Sequence, residues 1–206
     1  METLLQGDKG GGLMVKSLEE RLDLIQTEIR KPSFRENKGL GNEVGYYVFD
    51  YPAEAELRVR EHVKHLERKS NPDLDGFELK VFDVYDIMLD FIEEEDLLEA
   101  CYEMEAEDGM DYLIESVSAL LEMNQNDNYF ARYIEEHTPK DAVVFITGIG
   151  KVFPFVRSHK ILNNLHQVFD RAPVVLFYPG KYDGLSLMLF SEFKDDNYYR
   201  AFELVK

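Results

Sequence analysis

The sequence has almost no cysteine, no tryptophan, no long apolar run and, through its middle third, almost no positive charge. One cysteine, Cys101, occurs in 206 residues. A single thiol excludes an internal disulfide and fits a reducing, cytoplasmic location. Its acidic setting, LLEACYEME, opposes a low thiolate pKa, so Cys101 reads as a packing residue rather than a nucleophile. No apolar run reaches the ~20 residues needed to span a membrane. The opening METLLQGDKGGGL lacks the basic region and apolar core of a signal peptide. It is glycine-rich and patternless. Met14 is therefore expected to be the natural start, with residues 1–13 a disordered leader.

Positive charge is missing where negative charge collects. Residues 83–136 hold eighteen acidic side chains and one basic, Arg132, which is nearly all of the formal net charge of −18. Such a block repels a phosphate backbone and excludes duplex DNA binding over the whole surface. It is either a solvated helical face or a docking surface for a basic partner.

The chain is long enough for one domain, residues 14–206, that buries roughly 70% of its unfolded surface without a metal or disulfide. A capping box, Ser17 to Glu20, opens a helix with Leu18, Leu22, Ile25 and Ile29 at helical spacing, and Pro32 stops it. Residues 39–45 read as a loop and YYVFDY, 46–51, as a strand. Pro52 starts a helix with Leu57, Val59, Val63 and Leu66 inward, and NPDLDG is a turn. FELKVFDV, 77–84, alternates as a strand with Phe77, Leu79 and Val81 on one face. Residues 84–138 read as an acidic insertion of two or three helices, broken near Gly109 and at 124–128. AVVFITG is a buried parallel strand, a helix runs from Pro154 to Phe169, and PVVLFYPG is a second buried strand. KYDG turns the chain into a short strand within 185–193. Residues 197–205 close it as a strand or terminal segment on the sheet edge. This alternation predicts an α/β fold, a mainly parallel sheet flanked by helices, P-loop-like or Rossmann-like but without a functional Walker A loop.

The stretch FITGIGKVFPFVRSHKILNNL, 145–165, is where a phosphate loop would begin. A working P-loop needs G-x-x-x-x-G-K-[ST], so that backbone N–H groups surround the phosphates and a hydroxyl holds magnesium. Gly148, Gly150 and Lys151 are present. The loop from Thr147 is too short, Val152 replaces the hydroxyl, and Pro154 removes a donor. Nucleotide hydrolysis is not expected. A weaker anion site remains open at this strand end, using Lys151 and Arg157 with Tyr178, Gly180, Lys181, Tyr182 and Asp183 alongside. The competing reading is two turns whose glycines supply positive φ.

Two histidine pairs, His62/His65 and His159/His166, lack the further ligands or nucleophile that a metal or catalytic site needs. No carboxylate pair stands out as a catalytic dyad. The helix after Pro154 offers a different possibility. Phe155, Leu162, Leu165 and Phe169 supply its apolar stripe, which leaves Arg157, His159, Lys160, Asn163 and Asn164 to face water or a partner. With Tyr178, Lys181, Tyr182 and Asp183 they make a candidate partner surface.

Residues 146–204, ITGIGKVFPFVRSHKILNNLHQVFDRAPVVLFYPGKYDGLSLMLFSEFKDDNYYRAFEL, resemble the BrxB family of BREX bacteriophage-defence systems. So does the opening SLEERLDLIQTEIRKPSFRENKGLGNEVGYYVFDYP, and the resemblance runs from about residue 14 to the end. It implies a cytoplasmic, non-catalytic component of a multi-protein complex that methylates host DNA at adenine and blocks phage replication. The implied partners are the methyltransferase PglX and the phosphatase-like PglZ, beside an ATPase. No catalytic residue carries over, and no cofactor is expected. The function implied is assembly, bridging or positioning PglZ and PglX. The alternative is a nucleotide-sensing or cryptic enzymatic domain built on loops 147–151 and 178–184.

Overall fold

The computed structural model describes residues 16–35, 45–194 and 201–205. The expected leader, most of the expected 39–45 loop and part of the closing segment lie outside them. Seven strands follow in chain order: β1 (Tyr46–Tyr51), β2 (Glu78–Asp83), β3 (Ala142–Thr147), β4 (Val174–Tyr182), β5 (Leu187–Leu189), β6 (Phe193–Lys194) and β7 (Phe202–Glu203). The parallel sheet has the order β2-β3-β4-β1-β7, while β5 and β6 pair antiparallel onto the far end of β4. The fold is the expected α/β one. The terminal segment lies at a sheet edge, with Tyr47 and Val48 in register with Phe202 and Glu203.

The central strands are apolar on both faces because both faces are covered. From β1 the chain crosses to β2 at the opposite edge, then steps back through β3 to β4. Right-handed crossovers made in opposite directions place their helices on opposite faces. On one face α1 (Leu18–Ile29), α2 (Pro32–Arg35) and α3 (Glu56–Lys69) pack with Phe49, Phe145 and Phe177. On the other lie α5 (Val84–Glu94), α6 (Leu98–Asp108), α7 (Met110–Leu120), α8 (Tyr129–His137), α9 (Ile149–Val152) and α10 (Ser158–Val168), over Val144, Ile146, Val174 and Leu176. The short α4 (Pro72–Asp75) turns the chain before β2 and ends at Gly76, whose φ is 71°.

The capping box is present: Ser17 Oγ accepts from Glu20 N–H, and the Glu20 carboxylate accepts from Ser17 N–H. Several expectations need correction. Leu57 is 74% exposed, because the buried stripe of α3 is Val59, Val63 and Leu66 and Leu57 lies two residues before it, on the other side. The acidic stretch forms four helices, with an unforeseen break where Asp96 adopts φ 57°. Pro154 does not start a helix: α9 follows directly on Gly148, and α10 begins at Ser158. β4 runs past Pro179 and Gly180 to Tyr182, so Lys181 and Tyr182 belong to a strand and the turn falls at 183–186. The 185–193 strand divides into β5 and β6 around Phe190 and Ser191, both at positive φ.

Candidate functional site

Topology directs attention to the carboxyl ends of β1, β3 and β4. Open α/β sheets bind ligands where the direction of their connections reverses, here beside β1 and β4. β1 ends in Tyr51 and Pro52, followed by a 3₁₀ turn at Ala53–Ala55 instead of a glycine loop. Asp50 fills the gap. Its Oδ1 accepts from Arg21 Nη2 at 2.6 Å and its Oδ2 from the Tyr182 N–H at 3.0 Å. The Arg21 guanidinium lies 4.8 Å from the Phe49 ring centroid, so aromatic contact and charge both hold it over the strand end.

The 147–151 loop lies beside β4, as the sequence suggested, but the two are packed together. A Cβ on Gly150 would sit 3.0 Å from Phe190 and 3.1 Å from Pro179. Gly148 has φ 81°, and a Cβ there would lie 2.1 Å from Asp83 Oδ1. Gly180 has no room for a side chain because the Met188 carbonyl oxygen of the paired β5 would lie 2.1 Å from its Cβ. Thr147 Oγ1 donates to the Phe82 carbonyl at 3.5 Å.

Lys151 has two anionic neighbours. Its Nζ lies 2.7 Å from Asp83 Oδ2 and 2.8 Å from Asp86 Oδ1, and 5.1 Å from the Tyr85 ring centroid. Partial burial opposes its charge, but hydrogen bonds to Asp83 and Asp86 outweigh it and hold the amine above the ordinary lysine range. Asp83 also caps α5, accepting from Tyr85 and Asp86 N–H groups. One cation between two carboxylates is net negative and repels phosphate.

The polar side of α10 is largely engaged within the fold, which corrects the expectation that it faces outward. Asn164 is buried and donates to the Gln125 carbonyl at 2.7 Å, and Lys160 donates to Asn124 Oδ1 at 2.7 Å. His159 and Asn163 are half-buried. Tyr178 is fully buried, and Tyr182 is 5% exposed with its hydroxyl donating to the Ala201 carbonyl. Of the candidate surface, Arg157, Lys181 and Asp183 are exposed. Arg157 and Tyr178 line one groove of about 380 Å³ with Phe153 and Phe193. Asp183 shapes the hairpin turn: hydrogen bonds from the Ser186 and Leu185 N–H groups and the Ser186 hydroxyl hold its carboxyl below the ordinary range.

Cys101 is buried, and burial pushes its thiol up, as a packing role requires. His166 stacks on Tyr46 with ring centroids 3.5 Å apart. Among the described residues no group of three or more His, Cys, Asp or Glu is placed to hold a metal, and no helix is long and apolar enough to cross a membrane. Thr147 and Lys151, both named from the sequence, line a groove beside β2 of about 560 Å³, but sequence reasoning missed its other walls, Arg60 and Lys64 from α3 and Asp86 and Asp90 from α5. The charges within ELKVFD were the available signal, since a central parallel strand does not carry them.

These features define an α/β protein with no phosphate loop at its strand ends, where Asp50 and Lys151 are each paired with oppositely charged side chains. The BREX protein BrxB family matches residues 80–204. The chain is 45% identical over 191 residues to the BREX protein BrxB of Bacillus cereus (strain H3081.97), covering 93% of this chain and 99% of that protein. It is 35% identical over 188 residues to the BREX protein BrxB of Escherichia coli O9:H4 (strain HS), covering 91% and 92%. No solved structure matches. The chain belongs to the BrxB family of BREX proteins.

Proposed function

We propose that this protein is a non-catalytic assembly subunit of a cytoplasmic phage-defence complex, and that it bridges or positions PglZ and the adenine methyltransferase PglX. The observation that carries the reading is its 45% identity to a BREX protein across nearly the whole length of both chains. Two features of the fold agree with it. Lys151 is neutralised by Asp83 and Asp86, and Asp50 at the end of β1 is taken up by Arg21 and the Tyr182 N–H. The test is pairwise co-purification of the tagged protein with PglZ and with PglX. Both are expected to be retained by the wild type. Replacing Arg157 and Lys181, both exposed, with glutamate is expected to lower retention at unchanged melting temperature. Retention of neither protein by the wild type overturns the reading.

A further inference from the structure

β2 ends the described sheet, and its outer edge carries unused hydrogen-bonding groups. The Glu78 N–H donates to the Asp141 carbonyl, so Glu78, Lys80 and Phe82 turn their backbone toward β3. Leu79, Val81 and Asp83 therefore turn theirs outward. The Leu79 N–H reaches Ser70 Oγ at 3.4 Å. The Leu79 carbonyl, both groups of Val81 and the Asp83 N–H have no hydrogen-bond partner among the described residues.

Natural edges are guarded by prolines, bulges or outstretched lysines. β2 contains no proline, and its register with β3 is unbroken from Glu78 to Asp83. Lys80, the one lysine, lines the groove beside this edge and is drawn along the strand, with its Nζ 5.7 Å from the centroid of the Phe82 ring. The groove of about 560 Å³ runs beside this edge. Val81 and Phe82 contribute to its floor, Arg60 and Lys64 stand on the α3 side, and Asp86 and Asp90 stand on the α5 side. Glu67 and His137 complete the two sides. Arg60 is shared with Glu56 and Asp86 with Lys151, whereas Lys64 and Asp90 have no ionic partner among the described residues.

We propose that this groove takes an extended segment of another protein of the defence complex, added to β2 as a further strand. Side chains alternate along a strand. The incoming segment therefore carries acidic residues on the face toward Arg60 and Lys64 and basic residues on the face toward Asp86 and Asp90. Main-chain hydrogen bonds to Val81 give affinity, and the two charged walls give register and choice of partner. A second copy of this chain fits less well. Antiparallel pairing of two β2 edges sets α5 beside α5, so the carboxylates of Asp86 and Asp90 oppose their own kind. The proposal rests on the assembly role given above.

Val81→Pro tests it directly. The substitution removes the outward N–H and spares the bonds to β3, as an edge position allows. Tagged wild type, Val81→Pro, and Lys64→Glu combined with Asp90→Lys are each co-expressed with PglZ and PglX, and amide exchange is compared between free and captured wild type. Capture is expected to fall at least tenfold in both variants, at unchanged circular dichroism. Val81 amide exchange is expected to slow at least tenfold in the complex. If Val81→Pro fails to fold, the charge-reversed variant and the amide readout still decide. Undiminished capture by a folded variant, or an unprotected Val81 amide in a captured complex, overturns strand addition and leaves the assembly role standing. Capture of nothing by the wild type overturns both. Val81 protection in the isolated chain that grows with its own concentration assigns the edge to a second copy and also overturns the proposal.

Discussion

His62 sits half-buried on α3, and its Nε2 has no hydrogen-bond partner among the described residues. Burial disfavours its charged form and the nearby Arg58 adds repulsion, so its pKa falls below the ordinary 6.5. Asp23 pulls the other way and His65 adds a small repulsion. Between the folded and unfolded values the unfolded chain binds more protons. The stability His62 contributes is thus complete above about pH 6.5 and is lost as pH falls through the folded value. Urea midpoints of the wild type are expected to drop between pH 7.5 and pH 5, and His62→Gln is expected to drop less. Equal drops would show that His62 is not the titrating group. The sequence marked His62 only as half of an incomplete metal site. Its burial depends on how α1 crosses α3, which spacing along one helix does not specify. Lys151 teaches the same lesson at the candidate site. The sequence offered a lysine after a glycine turn, and only folding brought Asp83 and Asp86, sixty-odd positions away, within 2.8 Å of its amine.

The glycines decide how the strand-end elements fit. Gly148 combines positive φ with contact against Asp83, and Gly180 lies flat against the carbonyl of Met188. Gly184, at φ 88°, has nothing within 4 Å of a Cβ built on it. Gly148→Ala and Gly180→Ala are each expected to lower unfolding free energy by about 3 kcal/mol, since backbone strain or displacement must accommodate the methyl. Gly184→Ala is expected to cost about 1 kcal/mol, the left-handed penalty alone. Urea denaturation of the three variants checks the ranking, and a Gly184 effect as large as the others would refute the packing argument. The sequence reading that these glycines serve turns anticipated Gly148. It did not foresee Gly180, because β4 continues through it into an antiparallel pairing. α10 shows a related limit. Leu162 and Leu165 of its apolar stripe were legible from spacing, but Phe155 lies before the helix, Ile161 was not foreseen, and the polar side meets the 124–125 turn through Lys160 and Asn164.

For the whole molecule, the net charge of −18 dominates long-range behaviour. Phosphate contacts supply most non-specific DNA affinity, and a negative surface repels them. No mobility shift of duplex DNA is expected at low micromolar protein in physiological salt. A shift with a steep salt slope would contradict this. The sequence by itself determined the charge distribution, the alternation of helices and strands, the two buried central strands and the family. Each of these is written in composition, local periodicity or motifs, all properties of neighbouring residues. The tertiary structure alone decided the strand order β2-β3-β4-β1-β7, and with it everything that depends on which strand meets which. Pairing between distant segments set Asp50 against Arg21 and Tyr182 and left β2 at the edge of the described sheet. Such pairings join residues 29 and 132 positions apart, beyond the reach of any local pattern. They are fixed by the handedness of the crossovers and by which apolar faces must be covered.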